Sequence, residues 1–130
     1  MSQSAYLIQG FYSQRRDYMD VAVVPGEGNV AVFSTGLFRC MFAGVITQDE
    51  LFGALTGRMT DGSGASVLTE ISVSDEELLF KKTYNTRPDP IHYVFRLKGG
   101  IWCGSFQGSA VGTGRASCVL TPVPQQIFEP

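Results

Sequence analysis

The apolar segments of this chain are short, and almost every one stops at a turn signal. Residues 19–24 (MDVAVV) and 29–35 (NVAVFST) flank Pro25-Gly26-Glu27-Gly28, and residues 51–60 (LFGALTGRMT) and 65–74 (ASVLTEISVS) flank Asp61-Gly62-Ser63-Gly64. Both arrangements read as hairpins, with strand-forming runs on either side of residues that accept tight turns. Further runs lie at 37–47 (LFRCMFAGVIT), 77–85 (ELLFKKTYN), 91–98 (IHYVFRLK), 101–107 (IWCGSFQ) and 115–121 (RASCVLT), with another around 6–12. Nine or ten strands spaced about ten residues apart argue for a β-sandwich or barrel. No segment keeps a 3.6-residue period for three turns, so no helix of ordinary length is expected. The links are short, which favours an up-and-down meander over a Greek key with its long return. A meander leaves two open edges, and closure removes them. The expectation is an all-β chain whose residues 1–130 form a single antiparallel up-and-down β-barrel of about eight to ten strands.

One hairpin fixes an inside and an outside. Gly99-Gly100 suits the positive φ angles of a two-residue turn. With those two residues as the loop, Lys98 faces Ile101, Leu97 faces Trp102, Phe95 faces Gly104, Tyr93 faces Phe106 and His92 faces Gln107. Paired residues share a face. One face then carries Tyr93, Phe95, Leu97, Trp102 and Phe106, and the other carries His92, Arg96, Ser105 and Gln107. A slip by one residue would scramble this segregation. The aromatic face is expected to line the barrel interior, with Gly104 leaving room for the Phe95 ring. These rings either fill an ordinary core or line a cavity for a small apolar or aromatic ligand, as barrels of this size can hold one.

The chemistry-bearing residues are sparse. His92 is the sole histidine and faces outward, about 13 Å along the strand from Cys103 at 3.3 Å per residue. That spacing excludes a Cys–His dyad, which needs hydrogen-bond reach. One histidine and three dispersed cysteines give no metal-ligand spacing, so no metal and no cofactor is expected. The glycine-rich stretch 108–114 lacks the Lys-Ser/Thr of a phosphate loop and leads into a strand, so it reads as a hairpin loop. Asp75, Glu76 and Glu77 read as a solvated turn. Lys81 and Lys82 alternate faces, so at most one points inward. Arg58 is expected outside.

The formal net charge is −2 and the ten basic residues are scattered, which disfavours nucleic acid as a partner. No apolar run reaches the ~18 residues of a membrane helix. Residues 1–6 show no secretory pattern. Cys40, Cys103 and Cys118 are odd in number without C-x-x-C spacing, which suits reduced thiols and a cytoplasmic location.

The size, the meander, the aromatic inner face and Gly10-Phe11-Tyr12 in the first strand resemble the calycin group, the lipocalin and fatty-acid-binding-type barrels. Tyr12 stands where lipocalins carry Trp, and there is no room for the helix pair of fatty-acid-binding proteins. The resemblance implies a lipocalin-like closed barrel and carries over no ligand residue; the inward face read from the hairpin offers Tyr93, Phe95, Leu97, Trp102 and Phe106 to a small apolar molecule. Two other uses are open. One is an interaction module forming a homodimer, because residues 37–46 are apolar on both faces. The other is an enzyme at the barrel mouth, which would need converging polar groups.

Overall fold

The computed structural model describes residues 4–14, 19–24, 28–33, 40–49, 51 and 53–124, with the side chains of 4, 13–14, 19–24, 28–33 and 40 outside that description. Ten strands follow one another: β1 (Ser4–Gln14), β2 (Met19–Val24), β3 (Gly28–Phe33), β4 (Cys40–Gln48), β5 (Leu55–Asp61), β6 (Gly64–Val73), β7 (Glu77–Tyr84), β8 (Ile91–Lys98), β9 (Ile101–Gly108) and β10 (Gly112–Pro124). Eight of them close into an antiparallel barrel in the order β1-β10-β9-β8-β7-β6-β5-β4, while β2 and β3 form a separate two-stranded sheet. The chain is therefore a meander from β4 to β10, sealed by β1 between the first and last of these strands. The expected strand over 37–47 begins at Cys40 in the described residues, and 37–39 lie outside them.

The β8–β9 hairpin has the register that Gly99-Gly100 dictates, with Lys98 opposite Ile101 and His92 opposite Gln107. Both glycines hold positive φ, 59° and 85°. Two boundaries differ from expectation for local reasons. The strand expected over 51–60 begins only at Leu55; Leu51 lies in a turn, Gly53 and Ala54 precede the strand, and residue 52 is outside the described residues. The Asp49 carboxylate accepts the Leu51 N–H at 2.7 Å, and the Asp49 N–H donates to the Ala54 carbonyl at 2.8 Å. The glycine-rich stretch is mostly strand, because β10 runs back to Gly112 to pair with β9.

Alternation builds the core. In β7 the inward residues Leu78, Phe80, Lys82 and Tyr84 are all buried and their neighbours are not. Ile8, Tyr12, Phe42, Ile46, Met59, Leu68, Ile91, Tyr93, Phe95, Trp102 and Phe106 complete the lumen. Each fully buried large apolar side chain stabilises by about 1.5–3 kcal/mol. Arg58, Glu70, His92, Arg96 and Arg115 stay exposed on the outer wall.

Gly104 serves a different purpose from the one expected. A Cβ there would meet the Val94 carbonyl oxygen at 1.8 Å and the Phe95 Cα at 2.7 Å. The glycine admits the backbone of β8, not the Phe95 ring, and lets the two strands close on each other. On β6, Glu70 takes φ of 50° where the register with β7 shifts between Thr69 and Ser72. This bulge adds twist to the wall. The Lys81 ammonium pairs with the Glu70 carboxylate at 2.6 Å and holds its pKa below the usual carboxylate range.

Candidate functional site

Four of the five expected ligand-lining side chains, Tyr93, Phe95, Trp102 and Phe106, are buried in the lumen. Leu97 shares their phase but is not enclosed. It sits one step beyond Phe95 at the end of β8 and is 40% exposed. The enclosed rings pack on one another. Tyr93 stacks on Phe80 at 4.9 Å between centroids and lies 5.5 Å from Phe106, while Phe80 lies 5.8 Å from Phe95. These spacings are those of aromatic pairs in a filled core.

The lumen also holds a polar cluster. Lys82 is fully buried, and its ammonium donates to the Asp61 carboxylate, whose side chain is equally buried. The Tyr84 hydroxyl donates to the same carboxylate at 2.7 Å, and the Ser63 N–H donates to its other oxygen at 2.7 Å. Tyr12 lies 3.4 Å from the Tyr84 oxygen, and the Lys82 ammonium donates to the Tyr93 hydroxyl at 3.5 Å. The ammonium lies 4.6 Å from the Tyr84 ring centroid, 4.8 Å from Tyr12 and 5.5 Å from Tyr93. Burial, with the hydrogen bonds to Tyr12 and Asp61, raises the Tyr84 pKa far above its ordinary value, so the phenol stays a donor. The ionisable groups do converge, but they satisfy one another and Lys82 and Asp61 are sealed from solvent. The arrangement is a buried ion pair in an aromatic cage. The alternation of β7 placed Lys82 in the lumen, but Asp61 as its partner lay beyond sequence reasoning.

A second site lies on the outer wall. An open cavity of about 720 Å3 crosses β9, β10, β1, β4 and β5. Its walls are two adjacent rows of outward residues. Strand pairing aligns Val119, Gln9, Ala43 and Thr60 in one row, and Cys103, Ser117, Phe11 and Met41 in the other. Each row crosses four strands and is about 14 Å long at 4.7–4.9 Å spacing, and the two rows together span five strands. No described residue of the lining is charged. Gln9, Thr60 and Ser117 supply its side-chain amide and hydroxyl groups. Met41 is 66% exposed, and its strand is apolar on both faces, with Phe42 and Ile46 inward.

Both described cysteines border this cavity, Cys103 from the outward row and Cys118 from an inward position in the core. Cys103 is half-buried, while Cys118 is buried and its pKa is pushed up to about 12 by burial, with Cys103 nearby adding to the rise. Cys118 is therefore a protonated, weakly nucleophilic thiol. The Cys40 side chain lies outside the described residues. His92 is exposed, opposite Gln107 and Lys81, as its phase requires. Among the described residues no group of His, Cys, Asp or Glu could hold a metal ion.

Fold and sites together define a closed eight-stranded antiparallel barrel with a buried ion pair in its lumen and an uncharged trough across its outer wall. Comparison with known proteins finds no matching family model, no matching curated protein and no matching solved structure.

Proposed function

We propose that this protein binds a small, uncharged, apolar molecule in the outer trough. The observation that carries the reading is the size and lining of that cavity. A volume of about 720 Å3 suits a small-molecule site, and the lining pairs apolar surface with a few orienting polar groups. The absence of charge from the described lining favours a neutral ligand over a carboxylate or phosphate, which would be desolvated without a partner. The barrel shape adds weaker support, because the calycin group shares it and fold alone does not carry function. A ligand in the trough lies outside the lumen, which holds the packed rings and the Lys82–Asp61 pair.

The test uses a neutral, environment-sensitive dye such as Nile red and a panel of neutral lipids and aromatics. The protein should bind the dye saturably, one molecule per chain. Ala43→Trp, which puts an indole in the middle of the trough, should abolish that binding. His92→Trp, on the outer wall opposite Gln107 and Lys81 and away from the lining, should leave it unchanged. Saturable binding that survives Ala43→Trp, or its absence for the dye and the whole panel, would overturn the proposal.

A further inference from the structure

Closing the barrel removes the edges of its eight strands, so the free strand edges among the described residues belong to the β2–β3 ribbon. Its two strands pair in continuous register from Met19 opposite Phe33 to Val24 opposite Gly28, and they join no other sheet. A two-stranded ribbon is marginal in water, and a third strand or a packed face is what makes such a unit stable. Proteins that leave an edge exposed usually protect it with a charge, a proline or a bulge. β2 carries such a charge, Asp20. β3, with the sequence GNVAVF, has no charge and no proline, and its register shows no bulge.

We propose that β3 pairs with β3 of a second copy of this chain, making a four-stranded antiparallel sheet in the order β2-β3-β3-β2 across a two-fold axis. A strand paired antiparallel with its own copy is self-complementary, as a two-fold interface requires. Charge selects β3 over β2. A β2 seam would bring one Asp20 carboxylate from each copy, whereas a β3 seam brings Val30, Ala31, Val32 and Phe33 and no charge. The barrel order uses neither strand, so the pairing needs no change in the barrel. The inference does not depend on ligand binding in the trough.

Analytical ultracentrifugation of the full chain over a micromolar to millimolar range should show mass rising to that of a dimer. The double substitution Val30→Lys/Val32→Lys introduces the missing edge protection. It should weaken the dimer at least tenfold, about 1.4 kcal/mol, while the far-ultraviolet spectrum and Trp102 emission report an intact barrel. Single cysteines placed in turn at positions 29 to 33, in a chain whose own cysteines are serine, should cross-link best at one position nearest the axis. A wild-type monomer at all concentrations overturns the pairing, as does a dimer untouched by the lysines or a flat cross-linking profile. A dimer lost in Ala43→Trp and kept in the lysine variant would seat the second copy on the trough instead, and also overturns it.

Discussion

Removing the Lys82 ammonium is the most informative perturbation of the lumen. Lys82→Met keeps a flexible apolar stem among the Tyr12, Tyr84 and Tyr93 rings but leaves the Asp61 carboxylate buried without its cation. Breaking a buried pair from one side costs about 3–5 kcal/mol, because the remaining charge is uncompensated. The Tyr84 hydroxyl and the Ser63 N–H still serve that carboxylate at 2.7 Å each, which places the expected cost near the lower figure. A domain stable by about 5–15 kcal/mol would lose a large share of its margin. At roughly 3–4 °C per kcal/mol for a chain of this size, Tm should fall by about 10 °C. Asp61→Asn removes the carboxylate charge and keeps an acceptor for Tyr84, but it strands the ammonium. The double variant Lys82→Met/Asp61→Asn buries no charge, so its cost should be smaller than the sum of the two singles by about 2 kcal/mol or more. Urea unfolding followed by circular dichroism measures all three. A Lys82→Met cost below about 1 kcal/mol, or single costs that simply add, would refute the reading of Lys82 and Asp61 as a coupled buried pair.

Other consequences are open to direct measurement. Gly104→Ala should destabilise by about 3 kcal/mol or more, since its Cβ would press on β8 backbone, whereas Gly62→Ala, with no atom near its Cβ, should stay within about 0.5 kcal/mol in the same thermal melts. Phe95→Ala should cost about 3–5 kcal/mol and Leu97→Ala less than about 1 kcal/mol, because one ring is fully enclosed and the other side chain sits at the barrel end; equal costs would put Leu97 back in the lumen. The Cys118 thiol, raised from 9.0 to about 12 in the fold, holds its proton more tightly folded than unfolded, so its contribution is complete below pH 9 and is lost as pH rises toward 12. Urea stability should therefore fall more steeply in wild type than in Cys118→Ala over that window, by about 1.4 kcal/mol per pH unit, and parallel profiles would contradict this.

The sequence carried the barrel further than it carried the sites. Gly99-Gly100 set the turn, and every β8–β9 pair followed from it. Alternation along β7 was equally local and allowed one of Lys81 and Lys82 inside, and the structure shows that it is Lys82. Its partner was not local. Lys82 pairs with Leu68 and Leu68 with Gly57, two inward positions along β5 from Asp61. Only the long lysine stem, in a tilted and closed sheet, bridges that offset. Aspartate before a Gly-Ser turn reads as turn chemistry, and Asp61 does accept the Ser63 N–H, so its second role was hidden behind its first. The trough was hidden by topology. Its rows become continuous only when β1 lies between β10 and β4, and no local pattern announces that the first strand closes the barrel.

The position of β1 also bears on how the chain reaches this state. Its two neighbours are β4, which begins at Cys40, and β10, which ends at Pro124. Ser4 is opposite Pro124, so the wall closes by joining its first strand in sequence to its last. Until β10 pairs, the sheet has two open edges, one on β1 and one on β9. Such long-range closure is slow and exposes unpaired strands to other chains. A copy truncated before Gly112 would therefore be a sticky open sheet rather than a smaller barrel, and the docking of β10 is the step that removes the open edges of the wall.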